Sequence, residues 1–266
     1  MEILREGTSG GDVSSLQTRL QKRGFPPGAI DGTFGPGTEA AVIAFQKSEG
    51  LVPDGIVGGR TGQALGFDDL PPTPAMPNIT VAVVSKMFPA TLLDPIKKNL
   101  PNVLAALVDA DLTTVPIVLA ALSTIRAETE GFVPISEYPS RYNTSPGGNP
   151  FDLYDNRKDL GNHGPPDGSN FKGRGYVQLT GRANYTKFGP IIGLNNLVEE
   201  PEQANDREVA AKILAAFILS KKTAIATALA ANDLAGARRL VNGGSNGLDR
   251  FKSAYQIGAK LLMATA

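Results

Sequence analysis

Residues 67–78, FDDLPPTPAMPN, hold four prolines in twelve positions. Each proline lacks an amide hydrogen, fixes its own φ and pushes the residue before it out of the helical region. No helix or sheet ladder runs through such a stretch, so the chain must fold as separate pieces on either side of it. We read it as a semi-stiff linker. It sets the expected domains: 1–66, the linker 67–78, and 79–266. With 266 residues there is chain enough for two compact cores.

The first piece contains an internal pseudo-repeat of turn plus helix. GDVSSLQTRLQKRGF places Val13, Leu16 and Leu20 at helical spacing, with Asp12 positioned to cap the start and Gly24 to end it. DGTFGPGTEAAVIAFQKSEGL follows the same plan, with Ala41, Val42 and Phe45 on one face. PDGIVGGRTGQAL echoes it again, Asp54 and Gly55 standing where Asp31 and Gly32 stood. Three short helices around a small core are predicted. Phe45 reads as core; Phe25 and Phe34 are either core or ligand contacts.

Beyond residue 79 the chain is alanine-rich, and VAVVSKMF, PIKKNLPNVLAALVDA, TTVPIVLAALSTIRAETE, EVAAKILAAFILSKKTAIATALA and AGARRLVN carry apolar residues at helical intervals. Between 131 and 176 the periodicity fades into glycine, proline, asparagine and aspartate, and a long irregular segment inside a compact domain is usually functional. The fold class is therefore mainly α: a small three-helix domain and a larger helical one.

Residue scarcity narrows the chemistry. The chain has no cysteine, which removes thiol nucleophiles, disulfides and thiolate metal sites. Its one histidine, His163, sits in the turn-rich GNHGPPDGSN, where an exposed loop position is expected. A zinc hydrolase ordinarily needs more imidazoles than this. Carboxylates, helped by hydroxyls, remain for hydrolytic chemistry, with no cofactor and no metal expected. Formal net charge is zero, so nothing points to nucleic acid or a membrane surface. MEILREGTSGGDV shows no signal-peptide pattern, which gives the expectation of a soluble protein that starts in the cytoplasm.

Glu128 ends the apolar run TTVPIVLAALSTIRAETE, which can hold it rigidly, and Glu137 follows nine residues later in the irregular segment. By itself such a pair reads more readily as two solvated glutamates. Glu130 is a rival carboxylate, although on a continuing helix it points nearly opposite to Glu128. Gln178 and Thr180, two apart, share one face if extended. Gly173 and Gly175 allow close backbone approach to a substrate, and Arg174 can anchor a carboxylate. Arg126 and Arg250 are candidate partners of the catalytic carboxylates or surface ion pairs. Tyr142 of EYPSRYN is a further candidate for substrate contact.

Two resemblances sharpen this. The pattern GDV..LQ..L...GF with DG.FGPGT..AV..FQ resembles the peptidoglycan-binding domains at the ends of many wall hydrolases, over residues 6–66. It implies bacterial peptidoglycan as the partner, with Asp31, Gly32 and Arg60 as candidate contacts. The ordered series AETEGF, EYPSRYN, FKGRGYVQLTGRANY, LVEEPEQA and VNGGSNGLDR resembles the family 19 glycoside hydrolases, which include plant chitinases and phage endolysins. That resemblance spans about residues 115–262 and implies a lysozyme-like catalytic domain. It assigns Glu128 as general acid, Glu137 as general base, Thr180 to the attacking water and Asn242 to an N-acetyl group. Ala127, Glu130 and Tyr138 depart from the histidine, glycine and asparagine common there. The implied activity is inverting hydrolysis of β-1,4 bonds in the glycan strand, by an endolysin. Chitin cleavage by the same fold and a non-catalytic wall-binding protein are the alternatives, while peptide-cleaving amidase chemistry is disfavoured by the missing cysteine and single histidine.

Overall fold

A computed structural model of the chain describes residues 4–49, 51, 55–67, 79–242 and 246–263, with Gly59, Arg60, Asn242 and Met263 described by backbone alone. The protein is mainly α-helical. Its contacts divide it into two compact units, residues 1–75 with 108–111, and residues 76–107 with 112–266. The proline-rich stretch from 68 to 78 and Asp54 lie outside the described residues.

The first unit contains α1 (Gly11–Lys22), α2 (Pro36–Ser48) and α3 (Gly59–Ala64). Val13, Leu16, Leu20, Phe34, Ala41, Val42 and Phe45 are all buried in its core, so the helical spacing was a packing signal. Phe25 packs against them edge-on to Phe45, centroids 5.5 Å apart. One expectation needs correction. Asp12 is not the cap of α1: Gly10 holds that position, and Asp12 lies in the first turn, where its charge favours the helix dipole instead.

The two turns of the repeat are built alike, each around a buried glutamine. Gln17 donates through Nε2 to Asp31 Oδ1, Thr33 O and Thr38 Oγ1, and its Oε1 accepts from Gly32 N at 2.9 Å. Gln46 repeats the pattern, donating to Ile56 O and Thr61 Oγ1 and accepting from Gly55 N at 2.9 Å. The pseudo-repeat in the sequence is therefore a repeat of hydrogen bonds.

The second unit is built on α6 (Val115–Glu128). Every residue from Ile117 to Ile125 is buried, because a helix apolar on all sides can only be a core element. Packed on it are α4 (Val81–Met87), α10 (Arg207–Leu219), α11 (Lys222–Ala230), α12 (Leu234–Asn242) and α13 (Leu248–Met263), and residues 93–107 of α5 (Leu93–Asp109) belong to the same unit. Gly258 lets α13 lie close on α6 and α4, since a Cβ there would meet Leu119 Cδ2 at 2.3 Å and Met87 Sδ at 3.1 Å. No single helix among the described residues is long and apolar enough to cross a membrane.

The segment from 131 to 176 is irregular, as expected, but it is pinned by short elements: β1 (Ile135–Ser136), α7 (Asp152–Asp155), α8 (Asp167–Asn170) and β2 (Arg174–Gly175), with α9 (Arg182–Ile191) following. The strands pair antiparallel, Ile135 opposite Gly175 and Ser136 opposite Arg174. Phe132, with a positive φ of 56°, anchors the approach to β1. Its ring is fully buried between Phe88, at 4.9 Å, and Tyr176, at 6.2 Å, and that packing offsets the backbone strain.

Candidate functional site

The ladder of β1 and β2 continues by one bond, from Glu137 N to Gly173 O at 2.7 Å, and this sets Glu137 beside Gly173. Three donors hold its carboxylate. Asn143 Nδ2 and Tyr154 OH each reach Oε1 at 2.9 Å, and Gly173 N reaches Oε2 at 3.2 Å. Asn143 is fully buried and itself fixed, donating also to Tyr138 O and accepting from Ser140 N and Thr144 Oγ1. Burial, and then the nearby negative charge of Glu137, push the Tyr154 hydroxyl up to about 12. It therefore remains a donor throughout the physiological range.

Gly173 is where three candidates meet. A Cβ on it would lie 2.9 Å from Gln178 Oε1, 3.2 Å from Thr180 Oγ1 and 3.3 Å from Glu137 Oε2. The absent side chain leaves a space that three polar oxygens surround. Gln178 Nε2 donates to Ile135 O and Gly175 O, which turns its Oε1 towards that space. Thr180 Oγ1 donates to Gln178 O at 2.8 Å. The expected route to this clustering was wrong: 176–180 is not extended, and Gln178 has a positive φ of 50°. A tight turn after β2 brings the two side chains together.

Glu128 closes the last turn of α6, with Thr129 as the C-cap. Its Oε1 accepts from Arg238 Nη2 at 2.8 Å. Arg238 is fully buried and also donates through Nε and Nη2 to Asn246 O. Gly247 then packs on the end of α6, where a Cβ would meet Ala127 O at 2.8 Å. Asn246 is thereby tied to Glu128, but the side chain of Asn242 lies outside the described residues. Glu128 thus meets a buried guanidinium, that of Arg238, which was not among the arginines the sequence offered as its partners.

Of the two readings open for Arg126 and Arg250, the ion pair is the one found: both are on Glu130, at 2.8 and 3.0 Å, and not on Glu128 or Glu137. The helix has ended by then, and Glu130 turns outward with a φ of 53°. The hydrogen bond from Arg126 holds its carboxyl below the usual range.

Arg174 does anchor a carboxylate, but that of Glu202 and not one of the pair. Its side chain is buried and also bonds Asn170 O and Tyr185 OH, the last at 3.0 Å. It braces the wall behind Gly173 and is closed to substrate. Gly175 serves packing too, since a Cβ there would meet Ala204 O at 2.8 Å. Tyr142 is 74% exposed, under the guanidinium of Arg141, and Tyr138, next to Glu137, is equally exposed. His163 is exposed, as expected.

In the first unit, Gly32 is structural. Its amide is taken by Gln17 and its carbonyl accepts from Gly10 N, so neither faces a ligand. Asp31 is exposed, and the Gln17 hydrogen bond, then Thr33 N, hold its carboxyl down. The side chain of Arg60 lies outside the described residues. Sequence reasoning missed a groove of about 680 Å³ along α1, lined in part by Ser14, Ser15, Thr18 and Lys22. It also missed Asn143, Tyr154 and Arg238. The doubled arginine of AGARRLVN, in an otherwise apolar helix, was the available signal for the last.

Among the described residues no cluster of three or more His, Cys, Asp or Glu is placed to hold a metal ion.

Comparison with known proteins locates one likeness firmly. Residues 9–65 match the model of the putative peptidoglycan binding domain. The spore cortex-lytic enzyme of Bacillus cereus is 45% identical over 64 residues, covering 24% of this chain and 25% of that protein. The N-acetylmuramoyl-L-alanine amidase CwlM of Mycobacterium tuberculosis is 47% identical over 58 residues, 22% of this chain and 14% of that protein. The zinc D-Ala-D-Ala carboxypeptidase of Streptomyces albus G is 50% identical over 62 residues, 22% of this chain and 24% of that protein. The chain thus spans a quarter or less of these curated relatives. Among solved structures, the Burkholderia AP3 phage endolysin aligns over 97% of this chain and 100% of its own, at 18% identity and a TM-score of 0.30. That likeness is too slight to carry structural inference.

Proposed function

We propose that this protein is a peptidoglycan-degrading endolysin in which residues 1–66 hold the wall and residues 79–266 hydrolyse β-1,4 glycosidic bonds of the glycan strand. The matched binding domain and its occurrence in relatives named as wall-lytic enzymes support peptidoglycan as the partner. Those relatives share only this module, so their differing activities do not decide the chemistry of the second unit. The observation that carries the glycosidase reading is the convergence of Glu137 Oε2, Gln178 Oε1 and Thr180 Oγ1 around Gly173.

In the proposed reaction Glu137 is the base. A water in the space above Gly173 gives its proton to Oε2 while Gln178 and Thr180 orient it, and its oxygen attacks the anomeric carbon. Glu128 is the acid that protonates the departing sugar oxygen from the opposite side. Inversion requires the carboxyl groups to stand roughly 6.5–9.5 Å apart, leaving room for that water. The exposed rings of Tyr138 and Tyr142 offer faces on which sugars stack. The enzyme acts as a monomer and reaches the wall once the host membrane is breached.

Purified peptidoglycan and colloidal chitin digested side by side test the reading, with Glu128→Gln and Glu137→Gln as controls. New reducing ends from peptidoglycan, lost in both variants, are expected. Reducing ends from chitin alone would make it a chitinase. Free amino groups without reducing ends would make it an amidase, full activity in both variants would take the chemistry away from this pair, and no release of either product by the parent would reduce the second unit to a binding domain.

A further inference from the structure

We propose that the groove beside β1 is a subsite for the short acidic peptide that branches from a peptidoglycan strand. The inference rests on the substrate assigned above, and it names the part of that substrate which separates it from chitin. The groove encloses about 550 Å³ and belongs entirely to the second unit. Lys98 and Asp94 line it from α5, Val133 and Pro134 from the segment entering β1, and Arg207 from the start of α10. Asn99 forms part of its wall.

Asn99 is 4% exposed, and its Nδ2 donates to Pro95 O at 2.9 Å and Phe132 O at 3.0 Å. Both amide hydrogens are thus spent on carbonyls, which fixes the orientation of the side chain. Oδ1 then has no partner. Buried acceptors are seldom left so; this one is closed to solvent, and a small shift of the wall at Asn99 brings it to an N–H donor in the groove. The hydroxyl of Tyr176, whose ring packs on Phe132, is likewise buried without a partner.

The remaining lining defines the ligand. Two cations, Lys98 and Arg207, suit carboxylates, and Asp94 suits an ammonium. Val133 and Pro134 present apolar surface to alanyl methyl groups. An amide-rich peptide bearing carboxylates, an amino group and alanine meets every one of these; a polymer of N-acetylated sugars alone meets few. The placement fits too. Three extended steps separate Pro134 from Glu137, about 10 Å at 3.3 Å each. Asn205 ties the groove wall to both strands, donating to Ser136 Oγ at 2.8 Å and accepting from Gly175 N at 3.1 Å. A glycan seated at Glu137 therefore carries its peptide towards this groove.

The test uses the full chain and the free tripeptide L-alanyl-γ-D-glutamyl-meso-diaminopimelate, titrated while the side-chain amide resonance of Asn99 is followed by NMR. A saturable shift is expected. The double variant Lys98→Glu, Arg207→Glu, both exposed positions, should raise the dissociation constant at least tenfold with an unchanged melting curve. Shifts confined to residues 4–67, or equal binding by the double variant, would overturn the proposal. The tripeptide contains no glycosidic bond. Glycan cleavage without tripeptide binding therefore strikes this inference alone, and tripeptide binding without glycan cleavage strikes the catalytic reading alone.

Discussion

Replacing Tyr154 with phenylalanine isolates one of the three hydrogen bonds that hold Glu137. The ring, tilted against Phe151 at 6.5 Å, stays, and only the hydroxyl that reaches Oε1 at 2.9 Å is removed. A hydrogen bond to a charged group contributes about 1.5–3 kcal/mol. Were all of it used in orienting the base, kcat/KM would fall roughly ten- to hundredfold, at about 1.4 kcal/mol per decade. Asn143 and Gly173 still grip the carboxylate, so the lower end is expected, about a tenfold loss with a thermal stability change within about 1 kcal/mol. Because Tyr154 keeps its proton to about pH 12, the loss should be the same at every pH where the enzyme works. Initial rates of reducing-end release from purified peptidoglycan, with circular dichroism melting alongside, measure both quantities. Activity within twofold of the parent, in a variant that melts normally, would refute the claim that this hydroxyl positions the base proposed above.

Gln17→Leu should destabilise the first unit by about 2–4 kcal/mol, since it leaves Gly32 N, Thr33 O and Thr38 Oγ1 without their partner. Gln46→Leu should match it within about 1 kcal/mol in urea unfolding, because the two glutamines do the same work; a much larger gap would show that the repeat is equal only in sequence. Gly258→Ala should cost about 1–3 kcal/mol by forcing Leu119 and Met87 apart, measured in the same way. Stability of the second unit should fall as pH rises through roughly 10 to 12. Burial raises Tyr154 and Tyr185 to about 12, so the folded chain keeps protons in that window that the unfolded chain has released, and the stabilisation is complete below it. Tyr185→Phe should flatten the decline in an alkaline melting series.

The helices were legible because their apolar spacing follows directly from what each buries: Val13, Leu16 and Leu20 on one stripe, and α6 apolar all round. The site was legible only in part. FKGRGYVQLTGRANY pointed to Gln178 and Thr180, yet by an extended geometry that the positive φ of Gln178 contradicts. Spacing along a sequence shows which side chains share a face only while the backbone stays regular. Asn143, Tyr154 and Arg238 were illegible for a related reason. Their partners are 6, 17 and 110 residues away, brought near by loop closure and by packing of α12 rather than by any local period.

The three glutamates between 128 and 137 show what the fold adds to such a list. By composition they are interchangeable. Glu130 has two arginines on its two oxygens and a side chain 52% exposed, so its charge is largely answered before any substrate arrives. Glu128 meets one buried arginine, which fixes its direction and joins it to the backbone at Asn246. Glu137 is held by an amide, a phenol and a backbone N–H, all neutral. Neutral donors fix a carboxylate without cancelling its charge. The base proposed for Glu137 keeps its charge in that arrangement, which arises in this fold because β1 ends one residue before Glu137, beside Gly173.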